Sequence, residues 1–228
     1  MSAFRVDFNE VNRMVLGFLT QQPLFDLATT ESIGGTLALG TFIDPAKNKA
    51  WFCRGGQPLG LPAFFLAFEW GDYSPSHVPA APQQSTLVRS TATFTYSGEP
   101  TAAAVRQWLS TQTIALTEDA SIDKKTVEGL LNKLPNDPAG KPYNKYACSY
   151  FESKLDNDLH AFINQNDIQG VRYYFGYDDS NPHYVTTNRI RVILVAVDRQ
   201  GANIVPSSTR PADSVWMLQR SWPPPPVQ

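Results

Sequence analysis

A chain of 228 residues and 25.3 kDa is long enough to bury a sizeable core without a disulfide or metal staple. Its 18% charged residues, 42% apolar residues and 18 prolines exclude global disorder and mark a packed protein with a charge-poor surface. Nineteen Lys and Arg against 21 Asp and Glu, with no run of five like charges, leave no electrostatic footprint for a nucleic-acid backbone.

Asp7 or Asn9 caps a first helix, in which Val11, Met14, Val15, Phe18 and Leu19 recur at three- and four-residue spacing before Pro23. This apolar run is too short, and Asp7 and Glu10 make its approach too acidic, for a secretory signal, so the mature chain is expected to start at Met1. From Thr36 the pattern changes to Leu37, Leu39 and Ile43, an Asp44-Pro45 turn, then Trp51 and Phe52, which predicts a hairpin with Lys47, Asn48 and Lys49 at its tip. A buried strand is expected over residues 63–70. The most apolar stretch, 59–68, contains Gly60 and Pro62 and is too short to span a membrane. Residues 73–84 lack periodicity and carry three prolines, the best place for a subdivision of what is otherwise expected to be one compact α+β domain over 1–228.

Beyond that connection, residues 87–96 read as one half-buried strand, with Val88, Ala92, Phe94 and Tyr96 at even positions. Pro100 opens a second helix over 101–111, carrying Ala104, Val105, Trp108 and Leu109, and a third is expected over 122–134. Tyr146, Phe151, Leu155, Leu159, Phe162 and Ile163 then mark one face of a long helix over 144–165. Residues 171–177 and 189–198 are the clearest strands, the second turned by Asp198-Arg199-Gln200-Gly201 toward Ile204 and Val205. Strands, then helices, then a helix feeding strands do not alternate as a doubly wound sheet requires, so the expected class is α+β, a largely antiparallel sheet packed against three to four helices.

Candidate sites follow from this frame. Cys148, at the start of the long helix, would have its thiol activated by the helix N-terminus, with His183 as base and Asp178 or Asn188 orienting it. That order is the one papain-like hydrolases use, but the aromatic neighbours Tyr146, Tyr150 and Phe151 favour a small side chain facing the core. Cys53 and Cys148 are expected to be reduced. Glu152, Asp156 and His160 are spaced four apart on the same helix, where a solvated stripe beside the core face explains them better than a metal site. Asp178-Asp179-Ser180-Asn181 lacks the spacing of a calcium loop, and Gly55-Gly56-Gln57-Pro58-Leu59-Gly60 lacks both the dinucleotide fingerprint and a Walker lysine. Trp222, Pro223, Pro224, Pro225 and Pro226 form an aromatic-anchored polyproline II segment of the kind that aromatic grooves read, the expected partner-binding residues, with docking of Trp222 on its own fold as the equal alternative. Tyr173, Phe175 and Tyr177 share one strand face and Tyr174 the other; one face is expected to be core, and any aromatic surface left exposed would favour association.

The segments Gln169-Gly-Val-Arg-Tyr-Tyr-Phe-Gly-Tyr-Asp178 and Arg191-Val-Ile-Leu-Val-Ala-Val-Asp-Arg-Gln-Gly201, with the terminal aromatic-Pro-Pro, resemble an uncharacterised bacterial protein family that shows a Gly-Ile-Arg-x-Tyr-x-Gly strand, a Leu-Val-x-Val-Asp-x-x-Gly strand and a Pro-rich C-terminus. The resemblance implies the strand pair and no activity, and Trp222 stands where that set carries Cys. The expected function is a non-catalytic interaction or assembly component of the cytoplasm, with a protein partner or a second copy of itself. No cofactor, metal, nucleic acid or membrane span is expected. The alternatives are a papain-like thiol hydrolase using Cys148 and His183, and a small-ligand binding protein using the aromatic face.

Overall fold

The computed structural model describes residues 5–20, 30–38, 50–56, 65–71, 86–89, 92–95, 98–113, 148–152, 162, 167–177, 190–212, 215 and 217–218. Ten strands and two helices are assigned among them: β1 (Arg5–Val6), α1 (Phe8–Thr20), β2 (Thr30–Ala38), β3 (Ala50–Gly56), β4 (Phe65–Gly71), β5 (Thr86–Arg89), β6 (Ala92–Thr95), α2 (Ala102–Thr111), β7 (Cys148–Glu152), β8 (Gly170–Tyr177), β9 (Ile190–Val197) and β10 (Met217–Leu218). They make a six-stranded sheet in the order β1-β10-β9-β8-β2-β6 and a four-stranded sheet in the order β5-β4-β3-β7. Every pairing is antiparallel, so the architecture is α+β. Both sheets draw strands from either side of residues 73–84, and β4 and β5 pair directly across them. The helix expected over 122–134 lies outside the described residues. No helix among the described residues is long and apolar enough to cross a membrane.

The first helix forms where its cap and stripe place it. Asp7 Oδ1 accepts from the Glu10 amide at 2.9 Å while the Asp7 carbonyl takes the Val11 amide at 3.0 Å, satisfying two donors of the first turn. Val11, Met14, Val15, Phe18 and Leu19 are all fully buried, and burial of each contributes about 2 kcal/mol. This face packs against β8, with the Phe18 and Phe175 rings stacked at 5.9 Å. A Cβ at Gly176 would lie 2.6 Å from Ile193 Cδ1 and 3.0 Å from Met14 Cβ, so a side chain there would press on both β9 and α1.

The second helix begins at a threonine cap instead of at Pro100: Thr101 has extended backbone angles and its hydroxyl accepts from the Ala104 amide at 3.2 Å. Val105 and Leu109 face the core. Across the helix pair, Asn12 Nδ2 donates to the Ala102 carbonyl at 3.1 Å, and the Arg106 guanidinium lies over the Phe8 ring at 5.0 Å and donates to Asn9 Oδ1.

The strands β8 and β9 pair along their full lengths, from Gly170 opposite Val197 to Tyr177 opposite Ile190. The turn after β9 is closed by Gly201, whose amide reaches the Asp198 carbonyl at 3.0 Å and whose φ of 75° is a glycine conformation. Ile204 returns to Ala196, as the turn residues predict.

Four expectations are corrected. The hairpin from Thr36 to Phe52 does not form: β2 pairs with β6 and β8, while β3 belongs to the other sheet between β4 and β7. Nearness in sequence yielded to non-local partners, which an apolar run does not encode. The single strand over 87–96 is two, with β5 in the four-stranded sheet and β6 in the six-stranded one. The long helix over 144–165 is wrong at its start, because Cys148–Glu152 is β7, paired with β3 from Cys148 opposite Arg54 to Glu152 opposite Ala50. Cys, Ser, Tyr and Phe are weak helix formers, and sheet pairing satisfies their backbone instead. Finally, β8 has no solvent-facing side. Tyr173, Tyr174 and Phe175 are fully buried and Tyr177 nearly so, which makes both faces core and not one, and these four rings leave no aromatic surface for association.

Candidate functional site

The structure does not support the activated thiol. Cys148 opens the strand β7, not the long helix whose N-terminus was expected to activate its thiol. Its expected partners His183, Asp178 and Asn188 lie outside the described residues. Cys53 is paired with Ser149 and Cys148 with Arg54, so the register sets positions 53 and 148 on opposite faces of the sheet. Glu152 ends the same strand, which breaks the helical spacing it was expected to share with Asp156 and His160, both outside the described residues. Among the described residues no group of three or more His, Cys, Asp or Glu is placed to hold a metal ion. Gly55 and Gly56 end β3, and Gln57 to Gly60, Asp178 to Asn181, and Trp222 and Pro223 to Pro226 also lie outside the described residues.

What the fold builds instead is a groove along α2. It encloses about 460 Å³ and runs between the end of β6 and the helix, with Phe94, Thr95, Glu99, Pro100, Thr101, Ala104, Gln107, Trp108 and Thr111 lining it. Ala104, Gln107, Trp108 and Thr111 are three and four residues apart and therefore share a face, while Val105 and Leu109 turn to the core. The aromatic floor is the Phe94–Trp108 pair, edge to face at 5.3 Å. Glu99 is exposed at one end and makes no hydrogen bond or ion pair among the described residues. The basic residue of α2, Arg106, is held on the other side of the helix by Phe8 and Asn9. Among the lining residues the formal charge is therefore negative.

The floor is backed by a buried polar network. Arg172 is fully buried on the same face of β8 as Tyr174, since the two are separated by one residue. Its Nε donates to Thr36 Oγ1 at 3.3 Å, its Nη1 to Asn203 Oδ1 at 2.6 Å and its Nη2 to the Gly201 carbonyl at 2.8 Å. Register explains the first contact, because Thr36 stands directly opposite Arg172. Asn203 Nδ2 in turn donates to Tyr174 Oη at 2.7 Å and to the Leu109 carbonyl at 2.8 Å, one of the last-turn acceptors that α2 leaves without an intrahelical donor. Tyr174 then meets Trp108 edge to face at 5.4 Å. The network thus fixes both the helix and the ring that form the groove, and takes no part in contacts with solvent or ligand itself.

Burial pushes the Tyr174 hydroxyl above its ordinary pKa, outweighing the Arg172 charge and the hydrogen bonds from Asn203 and Arg172, which favour the phenolate. The folded chain therefore keeps a proton that the unfolded chain releases near pH 10, and ν is larger in the folded state. The contribution to stability is complete below about pH 10 and is lost above it, by up to about 1.4 kcal/mol per pH unit, as pH rises toward the folded-state value. Urea unfolding of wild type and Tyr174→Phe across this range is expected to show the wild-type advantage at neutral pH shrinking above about pH 10. A constant difference would show that the hydroxyl titrates as it does in the unfolded chain.

The groove was not visible as a site in the sequence, where Trp108 and Ala104 read as core positions of the same stripe as Val105 and Leu109. The one signal available was the width of that stripe: Ala104, Val105, Trp108 and Leu109 cover more than a single buried face needs. No family model matches the chain, and neither a curated protein nor a solved structure matches it.

Proposed function

We propose that this chain is a non-catalytic binding component of the cytoplasm, which engages a protein partner or a second copy of itself through the groove between β6 and α2. The observation that carries this reading is the groove's composition: an aromatic pair as floor, hydroxyl and carboxamide groups along α2, and one exposed carboxylate at the end. Aromatic rings held rigidly in a concave surface, with few charges around them, are the usual energetic centres of protein interfaces. Rigidity here has a cause, since the Tyr174–Asn203–Arg172 network holds Trp108 and α2 before any partner arrives.

Filling the groove tests the reading. Ala104 is exposed on α2, so Ala104→Trp places a large ring in the groove without entering the core. In paired affinity captures from the native host, quantified by mass spectrometry, a partner held by wild type is expected to fall about tenfold or more with Ala104→Trp. Equal recovery by the two proteins, or no partner and no self-association with either, would overturn it.

A further inference from the structure

Resting on that reading, we infer that the occupant of the groove is the arginine-led, proline-rich C-terminal segment of a second copy of this chain. The argument is complementarity between two parts of one sequence. The groove presents Glu99, exposed and without a hydrogen bond or ion pair among the described residues, followed by the Phe94–Trp108 floor and the Gln107 carboxamide. The C-terminal sequence runs Arg220-Ser221-Trp222-Pro223-Pro224-Pro225-Pro226, a cation, an aromatic ring and four prolines, with no acidic residue among them. Proline-rich segments in polyproline II conformation are preorganised and dock on aromatic-lined grooves, where their rings pack into the spaces between aromatic side chains. An arginine at the end of such a segment sets its direction by pairing with a carboxylate.

Dimensions and charge agree. The groove face of α2, from Thr101 to Thr111, is about 15 Å long at 1.5 Å per residue, and seven residues of polyproline II span about 19 Å between their ends. The helix cap leaves Glu99 available, because Thr101 alone supplies the acceptors for the Ala104 and Val105 amides, at 3.2 and 3.0 Å. Arg106 is occupied on the α1 side and does not compete for the carboxylate. The sheet order sets β6, which borders the groove, away from β10, and this favours a second copy over the same chain as occupant. β10, which leads into the segment, is four strand spacings from β6, or about 19 Å. Arg220 is two residues beyond Leu218, a backbone reach of only about 7 Å.

The test is a charge exchange in the full-length protein, read by sedimentation velocity over a concentration series. Wild type is expected to self-associate. Glu99→Arg and Arg220→Glu are each expected to weaken association about fivefold or more, and the double variant Glu99→Arg/Arg220→Glu to restore it. An equimolar mixture of the two single variants should associate more strongly than either alone, because both groove–tail pairs between unlike chains are then matched in charge. Ala104→Trp should abolish the association. A wild type that stays monomeric, or a double variant no better than the singles, would overturn the inference. If wild type stays monomeric while Ala104→Trp still eliminates capture of a different protein, the second copy is excluded as occupant and the binding role of the groove stands. If Ala104→Trp alters neither capture nor association, the binding role falls with it.

Discussion

Arg172→Leu is expected to destabilise the fold by about 4 kcal/mol, the largest effect of any single side-chain truncation at the site. The residue is fully buried, and its guanidinium supplies donors to Thr36 on β2 and to Gly201 and Asn203 in and just after the turn that follows β9. Leucine removes the charge together with all these donors, but leaves the Asn203 Oδ1 and Gly201 carbonyl acceptors in a space that water does not reach. Such acceptors cost about 1–3 kcal/mol each, more than the added hydrophobic burial returns. Arg172→Lys keeps the charge but not the planar fork, and one ammonium cannot serve three acceptors set around a guanidinium, so a loss of about 2 kcal/mol is expected. Urea midpoints at neutral pH read both, with unchanged m-values as the sign that only stability has moved. A stability equal to wild type for Arg172→Leu would mean that the network does not hold the turn and α2 together.

The consequence for the groove follows from the same contacts. Asn203 orients Tyr174 and caps α2 at Leu109, and Tyr174 supports Trp108. Under conditions where the Arg172 variants remain folded, the Trp108 ring should lose its fixed environment, seen as a weakened near-ultraviolet circular dichroism band compared with Trp108→Phe. The proposed partner binding would therefore be coupled to stability through buried residues behind the groove.

Local chemistry made the helices and the β8–β9 pair legible. The stripe from Val11 to Leu19, the Asp7 cap, the apolar run of β9 and the Asp198–Gly201 turn each depend on residues close together in sequence. Partner choice was not legible for the same reason. Nothing within residues 36–52 states that β2 will pair with β8 and β6 while β3 joins another sheet, because the free energy lies in partner strands far away in sequence, β6, β7 and β8. Tyr146, Phe151 and Leu155 mimic a helical spacing, yet the residues from Cys148 to Glu152 satisfy their backbone in a ladder with β3. Arg172 did carry a signal. A charged residue inside the apolar run Val171–Tyr177 must either face solvent or find buried partners, and the full burial of both faces of β8 leaves the second.

The second large effect is expected at Gly34, where Gly34→Ala should cost about 3 kcal/mol although it adds a single methyl group. Gly34 lies where β2 shifts its register, pairing with Ala92 on one side and Tyr174 on the other. A Cβ there would stand 2.4 Å from the Tyr173 carbonyl oxygen and 2.7 Å from Tyr174 Cδ1. The first neighbour is backbone and cannot move without opening the β2–β8 ladder, and the second is held by Asn203 and Trp108, so neither yields cheaply. Gly98 provides the contrast. Its φ of 74° is a left-handed conformation, but nothing lies within 4 Å of an added Cβ. Gly98→Ala should therefore cost only about 1 kcal/mol, from backbone strain, and Gly98→Asn less, since asparagine tolerates that region. At Gly34 the problem is space, so Gly34→Asn should be worse than Gly34→Ala. Thermal melts of the four variants separate the two causes: the opposite order at Gly34, with asparagine the milder change, would mean that the close packing of β2 on Tyr174 does not exist.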